Sequence, residues 1–118
     1  MFAARNGHDL CARVLLEAGA SLESKNQDGF TALMIAAQNG HDLCARVLLE
    51  AGANLESKQS QGFTALMLAA QNGHDLCARV LLEAGADRER EIPGYTGWNA
   101  FKLAERNGHT AVCELLKR

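Results

Sequence analysis

The sequence predicts an all-α solenoid, a stack of short helix pairs. Three observations carry that reading. The segment NGHDLCARVLLEAGA occurs at Asn6–Ala20, Asn39–Ala53 and Asn72–Ala86, each copy offset by 33 residues from the one before. A diverged copy, NGHTAVCELLKR, runs from Asn107 to Arg118. A fixed period of this size marks stacked units, none of which can bury its apolar face alone. Within each unit the apolar residues recur at helical spacing, and glycines punctuate the runs at constant positions.

The chain reads as one domain, 1–118. A partial first unit occupies 1–25, full units occupy 26–58 and 59–91, and a C-terminal capping unit occupies 92–118. In the unit from Asn26 to Lys58, Thr31 precedes the apolar run ALMIAAQ. A threonine hydroxyl there is a helix N-cap. Gly40 ends this helix, because glycine reaches the left-handed conformation at little cost. Asp42 opens a second helix, where a carboxylate meets the positive end of the dipole. Leu43, Cys44, Val47 and Leu48 form its apolar stripe. Asp42 and Arg46 make an i, i+4 pair on the outer face. Gly52 ends the second helix, and polar residues Asn54–Gly62 lead into the next unit. Helices this short are marginal alone in water, so neighbouring units must cover their apolar faces.

Composition excludes several classes. The formal net charge is −2, with both signs interspersed, which is no basic footprint for nucleic acid. No apolar run reaches the length of a membrane span. The opening MFAARNGHDL lacks the pattern of a signal peptide. Each copy carries one cysteine: Cys11, Cys44, Cys77 and Cys113. Neighbouring helices pack about 8–10 Å apart, and a disulfide needs Cα atoms within about 7 Å. The cysteines are therefore expected as buried, unbridged thiols. Four free thiols point to an intracellular, cytoplasmic or nuclear location.

The run GFTALMIAAQNGHDLCARVLLEAGA, from Gly29 to Ala53, resembles the ankyrin repeat. That family's pattern is G-x-T-P-L-H-x-A-A-x-x-G-H, an apolar helix, then L-L-x-x-G-A. The resemblance covers essentially the whole chain. It implies paired antiparallel helices with a β-hairpin-like finger projecting between repeats. The family's Thr-Pro-Leu-His stands here as Thr31-Ala32-Leu33-Met34 and Thr64-Ala65-Leu66-Met67. Without that proline and histidine, a less rigid first turn is expected. In the last copy Asn99 takes the capping position.

His8, His41, His74 and His109 all follow glycine. With four cysteines they invite a zinc reading, but no C-x2-C or H-x3-H spacing occurs. Histidines rising by roughly 10 Å per unit do not converge on one ion. The resemblance implies that they tie neighbouring loops by hydrogen bonds. Catalysis requires a nucleophile, a base and an oxyanion donor in one pocket. The polar residues here instead repeat along a rod, and no nucleophile elbow or phosphate loop occurs. Cys11/His8 and Cys44/His41 are three apart at helix starts, but the cysteines belong to the apolar stripe. No catalytic residue, cofactor or metal is expected.

What the resemblance implies is a surface for another protein, formed by finger tips and first helices. Matching residue by residue, the fingers supply Gln27, Asp28 and Phe30, then Ser60, Gln61 and Phe63, then Tyr95, Thr96 and Trp98. The first helices supply Arg5 and Asn6, Gln38 and Asn39, Gln71 and Asn72, and Arg106 and Asn107. Phe30, Phe63 and Trp98 form an aromatic ladder, which either anchors a partner or packs against the adjoining finger. The interval from His74 to His109 is 35 residues, so two are inserted, near Ile92-Pro93. The inserted loop IPGYTGW presents Tyr95 and Trp98 together.

The ends differ. Met1 aligns with Met34, so the first unit begins partway through a helix, and Phe2, Leu10 and Val14 are candidates for an uncovered face. An alternative function follows: a structural or engineered scaffold that self-associates through that face. Lys102, Glu105, Glu114, Lys117 and Arg118 suit an outer face meeting water at the other end. Gly29–Ala53 and Gly62–Ala86 differ only at Ile35 and Leu68. Such identity points to recent duplication, engineering, or a repetitive partner.

Overall fold

The computed structural model describes residues 22–23 and 25–117. Among them lie six helices in three pairs: α1 (Ala32–Asn39) with α2 (Asp42–Glu50), α3 (Ala65–Gln71) with α4 (Asp75–Glu83), and α5 (Ala100–Arg106) with α6 (Thr110–Leu116). No strand forms among the described residues. Each first helix packs on the next first helix, and each second helix on the next second helix. Local chemistry starts and stops them. Thr31 and Thr64 accept from the N–H groups of Met34 and Met67 at 3.4 Å. Asn99 accepts from Lys102 at 3.0 Å. Gly40, at φ 77°, donates to Ala36 and Ala37 and turns the chain into α2.

The core runs between the two layers. Leu33, Met34, Ala36 and Ala37 of α1 are buried, as are Leu66, Met67, Ala69 and Ala70 of α3. Cys44, Ala45 and Leu48, then Cys77, Ala78 and Leu81, cover them from the second layer. Alanines at the seams let seven- to nine-residue helices approach closely. The methionines standing where the family has histidine are core side chains.

Loops strap the units together as well. Glu23 accepts from the Asn54 N–H at 2.9 Å and from the Ser57 hydroxyl at 2.8 Å. One period on, Glu56 accepts from the Asp87 N–H at 2.9 Å and pairs with the Arg90 Nε at 3.2 Å.

Four sequence expectations need correction. The stripe of α2 is narrower than the pattern implied. Cys44, Ala45 and Leu48 face inward, whereas Leu43 is 57% and Val47 38% exposed. A step of one residue turns the helix by about 100°, which carries this second i, i+4 pair onto the flank. Asp42 and Arg46 do not close an ion pair; among the described residues the pairs are Arg90–Glu56, Lys102–Glu105 and Lys117–Glu114. Cys44 is disulfide-bonded, while Cys77 and Cys113 are free and buried. The expectation of unbridged thiols compared an axis separation with a Cα limit. Cα atoms sit about 2.3 Å off each axis, so facing positions of helices about 8–10 Å apart approach within about 3–5 Å. Finally, the last cysteine is out of register: Val112 takes the place of Cys77, and Cys113 that of Ala78.

Candidate partner-binding surface

Each finger is a turn whose two ends are joined by a backbone hydrogen bond, with a further backbone bond or two inside it. The Asn26 N–H donates to Phe30 C=O at 3.0 Å, and Gln59 N–H to Phe63 C=O at 3.0 Å. In the third finger the closing bond runs from Ile92 N–H to Trp98 C=O at 2.9 Å. The donors remain 33 residues apart while the last acceptor is displaced by two, so both inserted residues lie inside this finger. The tips are held from within. Asn26 Oδ1 accepts from the Asp28 and Phe30 N–H groups at 2.9 and 3.0 Å. Gln59 Oε1 does the same for Gln61 and Phe63, at 2.6 and 3.0 Å.

The fingers are joined in two different ways. Asp28 C=O accepts both the Ser60 N–H at 3.2 Å and the Ser60 hydroxyl at 2.7 Å. The residue equivalent to Ser60 in the third finger is Pro93, which has neither group. Its ring instead lies over Gly62, where an added Cβ would stand 2.5 Å from Pro93 Cδ. The second and third fingers thus meet by a ring on a glycine, with no strap to the Gln61 carbonyl.

At the other edge of the surface the Asn-Gly-His segments clamp each unit to the one before. Asn72 Nδ2 and His74 Nε2 both donate to Gln38 C=O, at 3.2 and 3.0 Å. Asn107 Nδ2 and His109 Nε2 both donate to Gln71 C=O, at 3.2 and 2.9 Å. A carbonyl only accepts, so each ring carries its proton on Nε2. Asn39 Nδ2 donates to Ile35 C=O within its own helix at 3.1 Å. Asn39, Asn72 and Asn107 stay at exposed positions. The amides of Asn72 and Asn107 bond across units, because a side chain at the end of a first helix lies against the last turn of its neighbour, while that of Asn39 bonds within its own helix.

Of the other predicted residues, Gln27, Asp28, Gln38, Ser60, Gln61, Tyr95, Thr96 and Arg106 have exposed positions, and Gln71 is half-buried. Phe30, Phe63 and Trp98 are half-buried and pack against the core. Tyr95 is 63% exposed. The structure gathers Gln61, Phe63, Tyr95 and Trp98 around one open cleft of about 460 Å³, with Ile92 at its base. Phe30 and its finger do not line it. Lys102 Nζ lies 5.8 Å and Arg106 Cζ 5.5 Å from the centroid of the Trp98 ring, both within cation–π range. Sequence reasoning missed Ile92 and Lys102. Ile92 sits at the insertion it had marked, and Lys102 follows Trp98 by four residues across the start of α5. Arg5, Asn6 and the amino-terminal face of Phe2, Leu10 and Val14 lie outside the described residues.

Among the described residues no three His, Cys, Asp or Glu side chains are placed to hold a metal ion. No described helix is long and apolar enough to cross a membrane. A family model, Ankyrin repeats (3 copies), matches residues 1–92 and again 56–118, which together span the chain. The chain belongs to the ankyrin repeat family, whose members are generally protein–protein interaction modules and typically non-catalytic. A search of curated proteins finds no match.

Proposed function

We propose that this chain is a non-catalytic module that binds another protein through its finger tips and first helices. The observation that carries the reading is the open aromatic cleft between the second and third fingers. It exposes Tyr95 beside the half-buried Phe63 and Trp98. Interface anchors are concentrated in such aromatic residues. The exposed side chains Gln27, Asp28, Ser60, Gln61 and Thr96 extend the same edge as a polar rim.

Tyr95→Ala is the cleaner probe, since Tyr95 is exposed and its loss leaves the core intact. Trp98→Ala removes an anchor worth on the order of 2 kcal/mol, and it also removes packing. Expected is weakened partner binding by both variants, with Tyr95→Ala retaining the parent's unfolding midpoint. Partner affinity unchanged by either substitution would refute the reading. Sedimentation over a concentration series tests the self-associating alternative: concentration-dependent dimers that persist in Tyr95→Ala would favour a scaffold.

A further inference from the structure

Resting on that proposal, we infer the chemistry of the partner: an extended acidic segment whose apolar or aromatic side chain enters the cleft of Gln61, Phe63, Ile92, Tyr95 and Trp98. Three observations meet here. The cleft walls are largely carbon: three rings and an isoleucine. Such a site takes an apolar side chain and releases water. Next, Trp98 already carries two cations. Lys102 and Arg106 are one turn apart on α5, and both lie against its ring. A third cation brought by a partner would meet repulsion from these two charges near the ring, so a basic or methylated lysine side chain is disfavoured. A carboxylate beside the apolar side chain instead meets attraction. Arg106 makes no ion pair among the described residues. Lys102 is paired with Glu105 at 3.7 Å, but both are about half exposed, and such a pair contributes little and yields easily to a competing anion.

The third observation is the missing strap. Where Asp28 C=O receives two hydrogens from Ser60, the equivalent Gln61 C=O receives none from Pro93, which lies over Gly62 and has none to give. An extended partner strand offers a backbone N–H to that carbonyl at the rim of the cleft, in the manner of strand addition.

Trp98 is the protein's only tryptophan, so its fluorescence reads the site directly. The probe is a seven-residue peptide with a central phenylalanine flanked by glutamate and aspartate. It is compared with a lysine-flanked peptide, an acidic peptide with central alanine, and one with central trimethyllysine. The acidic phenylalanine peptide is expected to shift the emission saturably and more weakly as salt rises. Arg106→Glu and Tyr95→Ala, both at exposed positions, are expected to weaken it by about tenfold or more. The inference is overturned if the lysine or trimethyllysine peptide binds as tightly. It is equally overturned if central alanine makes no difference, if Arg106→Glu has no effect, or if nothing saturates by about 1 mM. A failed peptide with partner binding still lost in Tyr95→Ala removes only this chemistry. Partner binding indifferent to Tyr95 removes the broader proposal.

Discussion

Gly73 and Gly108 provide a matched pair for weighing the clamp between repeats. Both sit at φ 73°, in the left-handed region, so alanine at either carries the same backbone strain of about 1–2 kcal/mol. Their surroundings differ. A Cβ at Gly108 meets nothing within 4 Å, whereas a Cβ at Gly73 would stand 2.5 Å from His109 Nδ1 and 2.7 Å from its Cε1. The His109 ring must therefore move. Its Nε2–H bond to Gln71 C=O, 2.9 Å long, is then stretched or broken. Losing a hydrogen bond of this kind costs about 0.5–1.5 kcal/mol. Gly73→Ala is thus expected to destabilise by about 2–3 kcal/mol and Gly108→Ala by about 1–2 kcal/mol. Urea titration followed by circular dichroism measures the gap. With a slope of about 1–3 kcal/mol per molar, the midpoints should differ by roughly half a molar. The double variant Gly73→Ala/His109→Ala supplies the control. Relative to His109→Ala, adding Gly73→Ala should cost only the backbone strain. Equal midpoints for the two glycine variants, or a full extra cost in the His109→Ala background, would show that the ring on the glycine is not what joins the units.

Further outcomes are expected. Leu81→Ala removes a fully buried side chain and should cost about 2–5 kcal/mol. Leu76→Ala on the same helix, where the residue is 55% exposed, should stay within about 0.5 kcal/mol; similar losses in thermal melts would overturn the assigned helix face. Thr64→Ala leaves the Met67 N–H without its cap and should lower stability by about 1 kcal/mol, with Thr64→Ser restoring most of it. Burial, and then the charges of Asp42 and Asp75, push the Cys77 thiol from 9.0 up to about 12. The folded state then keeps a proton that the unfolded state sheds, so stability is unaffected below about pH 9 and falls as pH rises from there towards 12. Urea midpoints at pH 8 and 10.5 should diverge more in wild type than in Cys77→Ala, and native Cys77 should label slowly with thiol reagents at pH 8. Rapid native labelling would contradict this burial.

The period was the most legible quantity in the chain. A 33-residue offset can be met only by units that stack, since neither helix of a pair buries its apolar face alone. Caps at Thr31, Thr64 and Asn99 and the turn at Gly40 were equally readable, because they depend on bonds to residues three or four positions away. Finger aromatics were readable as candidates, and their anchoring or packing role was not.

Everything that depends on contact between units was settled in three dimensions. The amides of Asn72 and Asn107 reach carbonyls 34 and 36 residues back. No local rule distinguishes them from groups left for a partner. Leu43 and Cys44 are both apolar neighbours in one helix, and only the position of the adjacent layer decides which is buried. The cleft itself lies where a substitution and an insertion fall together. Proline at 93 stands where Ser60 supplies a strap, and Tyr95, in the finger lengthened by two residues, is an exposed wall of the cleft. Local bonding reaches one helical turn along the chain, while the surface is made by side chains a full repeat apart that meet only once the units are packed.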